Sequence, residues 1–399
     1  MENDPDQNQN MQSGHIDLSG MNPEAMHGSS HHQPKSSKGK NPFKKFSAWF
    51  KHLSKRKKIL VVALSILLAA AIGFAAWWFF LKPVPLTPEQ AAEQELELKQ
   101  SKTVPSETTG LPVKPEINDR HVTGVMIENS PDARPQSGLT EADIVYEAIA
   151  EAGITRFLAL FHDNQPKYVG PVRSARPYFI NLVRPYRAGY AHVGGSPEAL
   201  ALIKNVGVQD LDQFSNPQAY HRISTRYAPH NMYTGLDKLD QLEQEKGYKN
   251  EEFESFSRLI EPEATPEKIK ADKINLSISG PLYDVKFDYN KSKNIYARNM
   301  GGSPHKDEKS GKTIAPNVVI ALVMKKGIAN DGYHTTYQTS GTGTMYLFQS
   351  GNVVKGKWRK KDHKTQLEIL DSSGNTLELN PGQTWLTIVS EASAVKYKR

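Results

Sequence analysis

Apolar and polar positions divide this chain into four textures. The run Ile59–Leu81, ILVVALSILLAAAIGFAAWWFFL, holds 23 residues without a charge, and Ser65 is its only hydroxyl. As a helix it is long enough to cross the ~30 Å hydrocarbon core of a bilayer. Before it, residues 1–42 are rich in Asn, Gln, Ser, Gly, His and Met with almost no aliphatics. Such a segment buries too little apolar surface to offset its ordering entropy, so it is predicted disordered, the pair His31-His32 included. After the run, residues 82–118 are rich in Pro, Thr, Glu and Lys and read as an extracytoplasmic linker with a short helix around Glu89–Gln100.

Beyond the linker the periodicities become those of a folded protein. HVTGVMIE (His121–Glu128) and RFLALF (Arg156–Phe161) predict strands, and Ala142–Ala152 fits a strand or a helix. Arg176–Val183 and Pro197–Asn205 predict helices. The second has Ser196 at its N-cap, Pro197 at the first helical position, Glu198 in the first turn and Gly207 as its breaker. Residues 119–262 therefore read as an α/β domain. From Lys273 the runs LSISG, YDVKFDY, NVVIALVM, GTMYLFQSGNVVKGKW and TWLTIVS are β-branched and aromatic, separated by Gly, Asn and Ser. Residues 270–399 read as a mainly-β domain, a barrel or sandwich with its own core, and Glu251–Lys273 as the boundary. The expected fold class is an α/β N-terminal ectodomain plus a mainly-β C-terminal domain, preceded by one transmembrane helix.

Charge sets the orientation. Residues 1–34 carry five acidic side chains and no Lys or Arg, whereas residues 35–58 carry ten basic side chains and no acid. Lysines held on the cytoplasmic flank put the N-terminus inside and everything past Lys82 outside, with Trp77, Trp78, Phe79 and Phe80 at the outer interface. A cleaved signal peptide has a shorter apolar core nearer the N-terminus and an A-x-A site, so the run is read as an uncleaved anchor at the cell membrane. The formal net charge of +7 and pI of 9.1 arise mainly in the juxtamembrane cluster, which suits anionic lipid rather than nucleic acid. There is no cysteine, which excludes disulfides, thiolate metal sites and cysteine nucleophiles.

Candidate chemistry outside the membrane begins with arginine. Between Arg120 and His230 there are nine Arg and two Lys, although Lys is the default cation elsewhere. A planar fork binds carboxylate or phosphate bidentately, which Lys cannot do. Arg134, Arg156, Arg173, Arg176, Arg222 and Arg226 are the candidate forks for an anionic ligand, with His192 and His230 as polar supports. The competing reading pairs the arginines with Glu128, Asp143, Glu147 and Glu151 inside the domain. His192 leads Gly194-Gly195-Ser196 and a helix start, a natural anion site. Glu147 and Glu151 form an i, i+4 acid–base pair if their segment is helical. G-x-S-x-G and H-E-x-x-H are absent, and Gly311-Lys312-Thr313 lacks a P-loop's first glycine because Lys306 stands there. Ser303–Asp307 and Thr339–Gly343 read as solvated loop and turn, with His305 and Asp307 a lesser pair for a ligand or metal.

These residues carry a resemblance. Ala133–Leu139 (ARPQSGL), Ala142–Glu147 (ADIVYE), Gly153–Phe157 (GITRF), Gly170–Arg176 (GPVRSAR) and Pro229–Asn231 (PHN) resemble the YerB-like family of bacterial envelope proteins. Gly356–Lys360 and Pro381–Trp385 resemble that family's second domain. The resemblance covers roughly residues 119–390 and implies an outward-facing, two-domain protein of Gram-positive-type bacteria. Members are often described as lipoproteins; without cysteine, this chain must use an uncleaved helix instead. The order Pro171–Arg173, Ala191–Gly195, Gly207–Asp212 is also similar to the LytR-CpsA-Psr ligases, whose arginines hold a lipid-linked pyrophosphate, but Ser174 stands where their acid is expected. The function expected is binding of an anionic cell-wall ligand (muropeptide, teichoic acid or lipid-linked precursor) through an Arg-rich cleft, with no cofactor or metal. One alternative is a phosphotransferase on lipid-pyrophosphate-linked glycan, requiring a divalent cation. The other is a non-catalytic scaffold for wall-synthesis enzymes.

Overall fold

The computed structural model describes residues 42–81, 87–90, 102–261 and 269–399. The N-terminal tail with His31-His32 and most of the expected Glu89–Gln100 helix lie outside the described residues. Residues 1–86 and 87–399 are two separate units. In the first, helix α1 (Pro42–Lys51) is followed by α2 (Lys55–Ala76), which runs on into a π-helical turn, Trp77–Leu81. Lys55–Phe79, with mean hydropathy 2.8, is the one helix among the described residues that is long and apolar enough to cross a membrane.

The second unit is built on one mixed sheet of eleven strands. Its N-terminal part holds β1 (Thr123–Glu128), β2 (Ile144–Glu151), β3 (Ile154–Phe161), β4 (Gly189–His192) and β5 (Gln209–Asp212). A hairpin of β6 (Tyr220–Arg222) and β7 (Met232–Thr234) stands beside it. The ambiguous segment Ala142–Ala152 is a strand because all eight positions of β2 are buried, so its apolar run serves two faces. Helices α3 (Pro177–Val183) and α4 (Pro197–Val206) cover one face. Ser196 Oγ caps α4 by accepting from Ala199 N at 3.3 Å, and Gly207 closes it at φ +67°, the left-handed conformation that favours glycine. Helix α5 (Leu236–Glu245) packs on the other face.

The C-terminal segment does not form a separate barrel or sandwich. Strands β8 (Lys273–Leu276), β9 (Val285–Asn290) and β10 (Ile295–Met300) make a smaller sheet with β15 (Val395–Lys398). Strands β11 (Val318–Val323), β12 (Gly341–Gln349), β13 (Asn352–Lys360) and β14 (Thr384–Val389) instead extend the main sheet, in the order β13-β12-β11-β14-β2-β3-β1-β4-β5. The seam is β14 on β2, parallel, with Thr384 opposite Ile144 and Thr387 opposite Glu147. One core runs through both segments: Val125, Phe157 and Leu239 share a cluster with Ile274, Phe287 and Trp385.

Two expected boundaries also shift. Ser106, Thr108 and Thr109, placed in the linker by composition, are buried against Asp143 and Asp163. Within the expected boundary Glu251–Lys273, Arg258 donates to Thr108 O, Asn380 O and Gly382 O and, at 2.8 Å, to Thr384 Oγ1. Polar residues read as linker when their partners are distant in sequence.

Candidate functional site

Strands β1, β2, β4, β5, β11 and β14 all point the same way, so their carboxyl ends form one rim. Ligands of open α/β sheets bind outside such ends, where neighbouring strands diverge. Here β1 and β4 pair only from Thr123 to Val125, and the loop Pro171–Ala175 fills the gap beyond. Glu128 N donates to Pro171 O and Arg173 N to Met126 O, both at 2.9 Å; Val193 N and Ala175 N close the β4 side. Gly170 permits this approach, because at φ +153° a Cβ would lie 2.9 Å from Met232 O.

The loop thereby sets Arg173 beside Glu128, the last residue of β1. Glu128 is buried, and its Oε1 is the focus of three groups: Ser130 Oγ at 2.9 Å, His230 Nδ1 at 2.9 Å and Arg173 Nε at 3.3 Å. Its Oε2 is buried without a hydrogen-bond partner. With Nδ1 turned to a carboxylate, His230 directs Nε2 outward, where Asp132 Oδ2 lies 4.0 Å away. Ser130 Oγ sits 3.2 Å from Nδ1, the wrong nitrogen for activating a serine nucleophile. Neither Nη of Arg173 has a hydrogen-bond partner among the described residues, and the side chain is about a quarter exposed (24%). Nearby, Arg134 grips Asn129 through Nε and Nη2 (3.1 and 3.0 Å) and lies over the Tyr283 ring. Arg222, exposed on the hairpin, donates Nη1 to Asn231 Oδ1 at 2.7 Å.

The other predicted forks are spent internally. Arg156 and Arg176 are buried and each donates Nη2 to Glu151 at 2.6 Å; their Nη1 groups go to Ser174 O and Ala175 O. Burial would push the Glu151 carboxyl up, but the two guanidiniums hold it below the usual carboxylate range. Arg226 divides its donors among Ala133 O, Pro135 O, Tyr233 OH and Glu308. His192 is buried between Gly194 O (2.8 Å) and Asp210 Oδ1 (3.0 Å), and Gly194 N already donates to Asp212. The anion site expected at that helix start is therefore satisfied by the protein itself.

Glu147 and Glu151 are no acid–base pair. A bulge between Ile149 and Glu151 turns the end of β2 over. Glu147 meets Thr155 and the fully buried Arg298 (2.7 Å), while Glu151 meets Arg156 on the opposite face. His305 and Asp307 are buried rather than solvated. His305 Nε2 contacts Gln136 Oε1 at 2.8 Å and Asp307 Oδ2 accepts from Gly138 N at 2.7 Å, so their loop docks onto the N-terminal segment. Burial, with Arg298 and Arg134 nearby, holds the His305 pKa well below its usual value.

One cluster was missed by sequence reasoning. Asp143, His162 and Asp163 offer ligand atoms within 4.8 Å of one another. Three hydroxyls nevertheless occupy the carboxylates: Ser106 and Thr109 reach Asp163 at 2.6 and 2.5 Å, and Thr108 reaches Asp143 at 3.1 Å. Burial and the neighbouring Asp163 push Asp143 up to about 7. The arrangement serves to fasten residues 106–109 to the sheet.

Fold and site define a class: an α/β segment and a β segment sharing one sheet, with an arginine–histidine–carboxylate rim at its strand ends. Residues 108–249 match the family described as "Protein of unknown function (DUF3048) N-terminal domain", and residues 274–386 its C-terminal domain. The chain belongs to this YerB-like family. It is 31% identical over 302 residues to "Putative lipoprotein YerB" of Bacillus subtilis (strain 168), spanning 75% of this chain and 90% of that one. It is similar to the crystal structure of YerB from Bacillus subtilis, with TM-score 0.68 and 29% identity over 74% of this chain and all of that one.

Proposed function

We propose that this is a membrane-anchored extracytoplasmic protein that binds an anionic cell-wall ligand at the β1/β4 rim. The observation that carries the reading is Arg173: a guanidinium held by a buried carboxylate, with both Nη groups uncommitted among the described residues. Arg134, Arg222 and His230 Nε2 border the same rim. Arg156, Arg176, Arg226 and His192 support its walls instead of touching ligand. Envelope placement is supported by the lipoprotein description of YerB and by α2, which takes the role a lipidated cysteine would have. The basic flank of α2 supports an orientation with the folded unit outside.

The test is binding of fractionated wall material, muropeptides and teichoic-acid fragments separately, to the full chain in detergent. Arg173→Ala is expected to weaken binding by about 10–100-fold, the loss of a charged hydrogen-bond donor. Unchanged binding would remove the rim from consideration.

A further inference from the structure

Helix α1 is a short amphipathic element set just before α2, and nothing in the rim's chemistry requires it. At 100° per residue, Phe43, Phe46, Trp49 and Phe50 fall in an arc of about 120°, Lys51 lies on the opposite side, and Lys45 flanks the arc. Phe46 and Trp49 are each about half exposed (53%), with ring centroids 5.6 Å apart. Phe46 and Phe50 face Val61, Val62 and Ile66 of α2 across an apolar cavity of ~330 Å³. The turn between the helices is tied by Lys58 Nζ donating to Lys51 O at 3.0 Å.

We propose that α1 is a membrane-surface helix, its aromatic face seated at the acyl-chain boundary of an anionic leaflet and its lysines on the headgroups. This rests on reading α2 as the membrane-spanning segment. Two observations choose lipid over a protein groove. Phe46 and Phe50 line one apolar cavity together with Val61, Val62 and Ile66 of the apolar α2, a lining that suits an acyl chain. The ten uncompensated basic side chains of residues 35–58 complement anionic headgroups.

The chain's lack of cysteine makes single-cysteine labelling unambiguous. The full chain would be reconstituted in phosphatidylcholine vesicles with or without phosphatidylglycerol. An NBD fluorophore would be attached after Phe46→Cys, Ala48→Cys or Ala70→Cys, and dithionite quenching followed on outward-facing molecules. With phosphatidylglycerol, the label at position 46 is expected to be protected and that at 48 accessible. Replacing Lys44, Lys45 and Lys51 by Gln should weaken surface association by about two orders of magnitude and abolish the difference. Equal quenching at 46 and 48 while 70 stays protected would overturn the proposal and leave the spanning helix intact. An accessible label at 70 would overturn both. Protection at 46 that rises with the protein-to-lipid ratio would assign the face to a second copy and overturn the lipid assignment.

Discussion

Arg156 and Arg173 serve the same end of the sheet but finish differently. Arg156 is buried with a carboxylate and a carbonyl on its fork, and Arg176 shares that carboxylate. Arg173 lies within ion-pair distance of Glu128 (Nε 3.3 Å from Oε1) without a hydrogen bond, and both its Nη groups stand at a part-open rim. Arginine enrichment therefore has two causes in one domain. Buried pairs on Glu151 fix the end of β2, while the fork beside Glu128 at the end of β1 stays part-exposed. Where a buried carboxylate lacks an arginine, burial favours its neutral form. Glu243 is almost fully buried, with Thr123 Oγ1 at 3.4 Å, and burial together with Asp240 pushes its pKa up to about 8.

The largest effect should come from breaking a shared pair. Glu151→Ala strands two buried guanidiniums and should destabilise the folded unit by about 3–5 kcal/mol, measured by urea unfolding. A change near zero would mean that Arg156 and Arg176 find other acceptors, and the contrast with Arg173 would fail.

Glu243 sharpens the contrast through pH. Its folded pKa of about 8 lies above its unfolded value, so between pH 4.5 and 8 the native state holds a proton that the unfolded state has released. Stability from this group is present below the unfolded value and lost as pH rises through the window, at about 1.4 kcal/mol per unit. Glu243→Gln should flatten this slope and stabilise the protein at pH 8. An unchanged slope would show that Glu243 is ionised in the fold. Ser196→Ala removes the cap of α4 and should cost about 1 kcal/mol, with ligand binding unaffected.

What was legible in the sequence was local. Ser196, Pro197 and Gly207 bounded α4 because capping chemistry acts within a turn. β2 stayed ambiguous because a strand buried on both faces loses its period of two. The seam of β14 on β2 left no mark at all, since parallel pairing of distant strands needs only apolar runs. For the same reason nothing in the C-terminal strands signalled that they extend the N-terminal sheet instead of closing a barrel or sandwich. At the site, composition identified the arginines, but which of them is free depends on where Glu128, Glu151 and Glu308 fall in space. The bulge that separates Glu147 from Glu151 reversed the meaning of their spacing.

Replacing Arg173 by Lys tests the central claim most directly. Lysine keeps the charge beside Glu128, but it cannot present two Nη groups in a plane. Isothermal titration of the full chain in detergent with the wall fraction that wild type binds should show Arg173→Lys as weak as Arg173→Ala, with both variants folded at the titration temperature by circular dichroism. Wild-type affinity in the Lys variant would contradict the account.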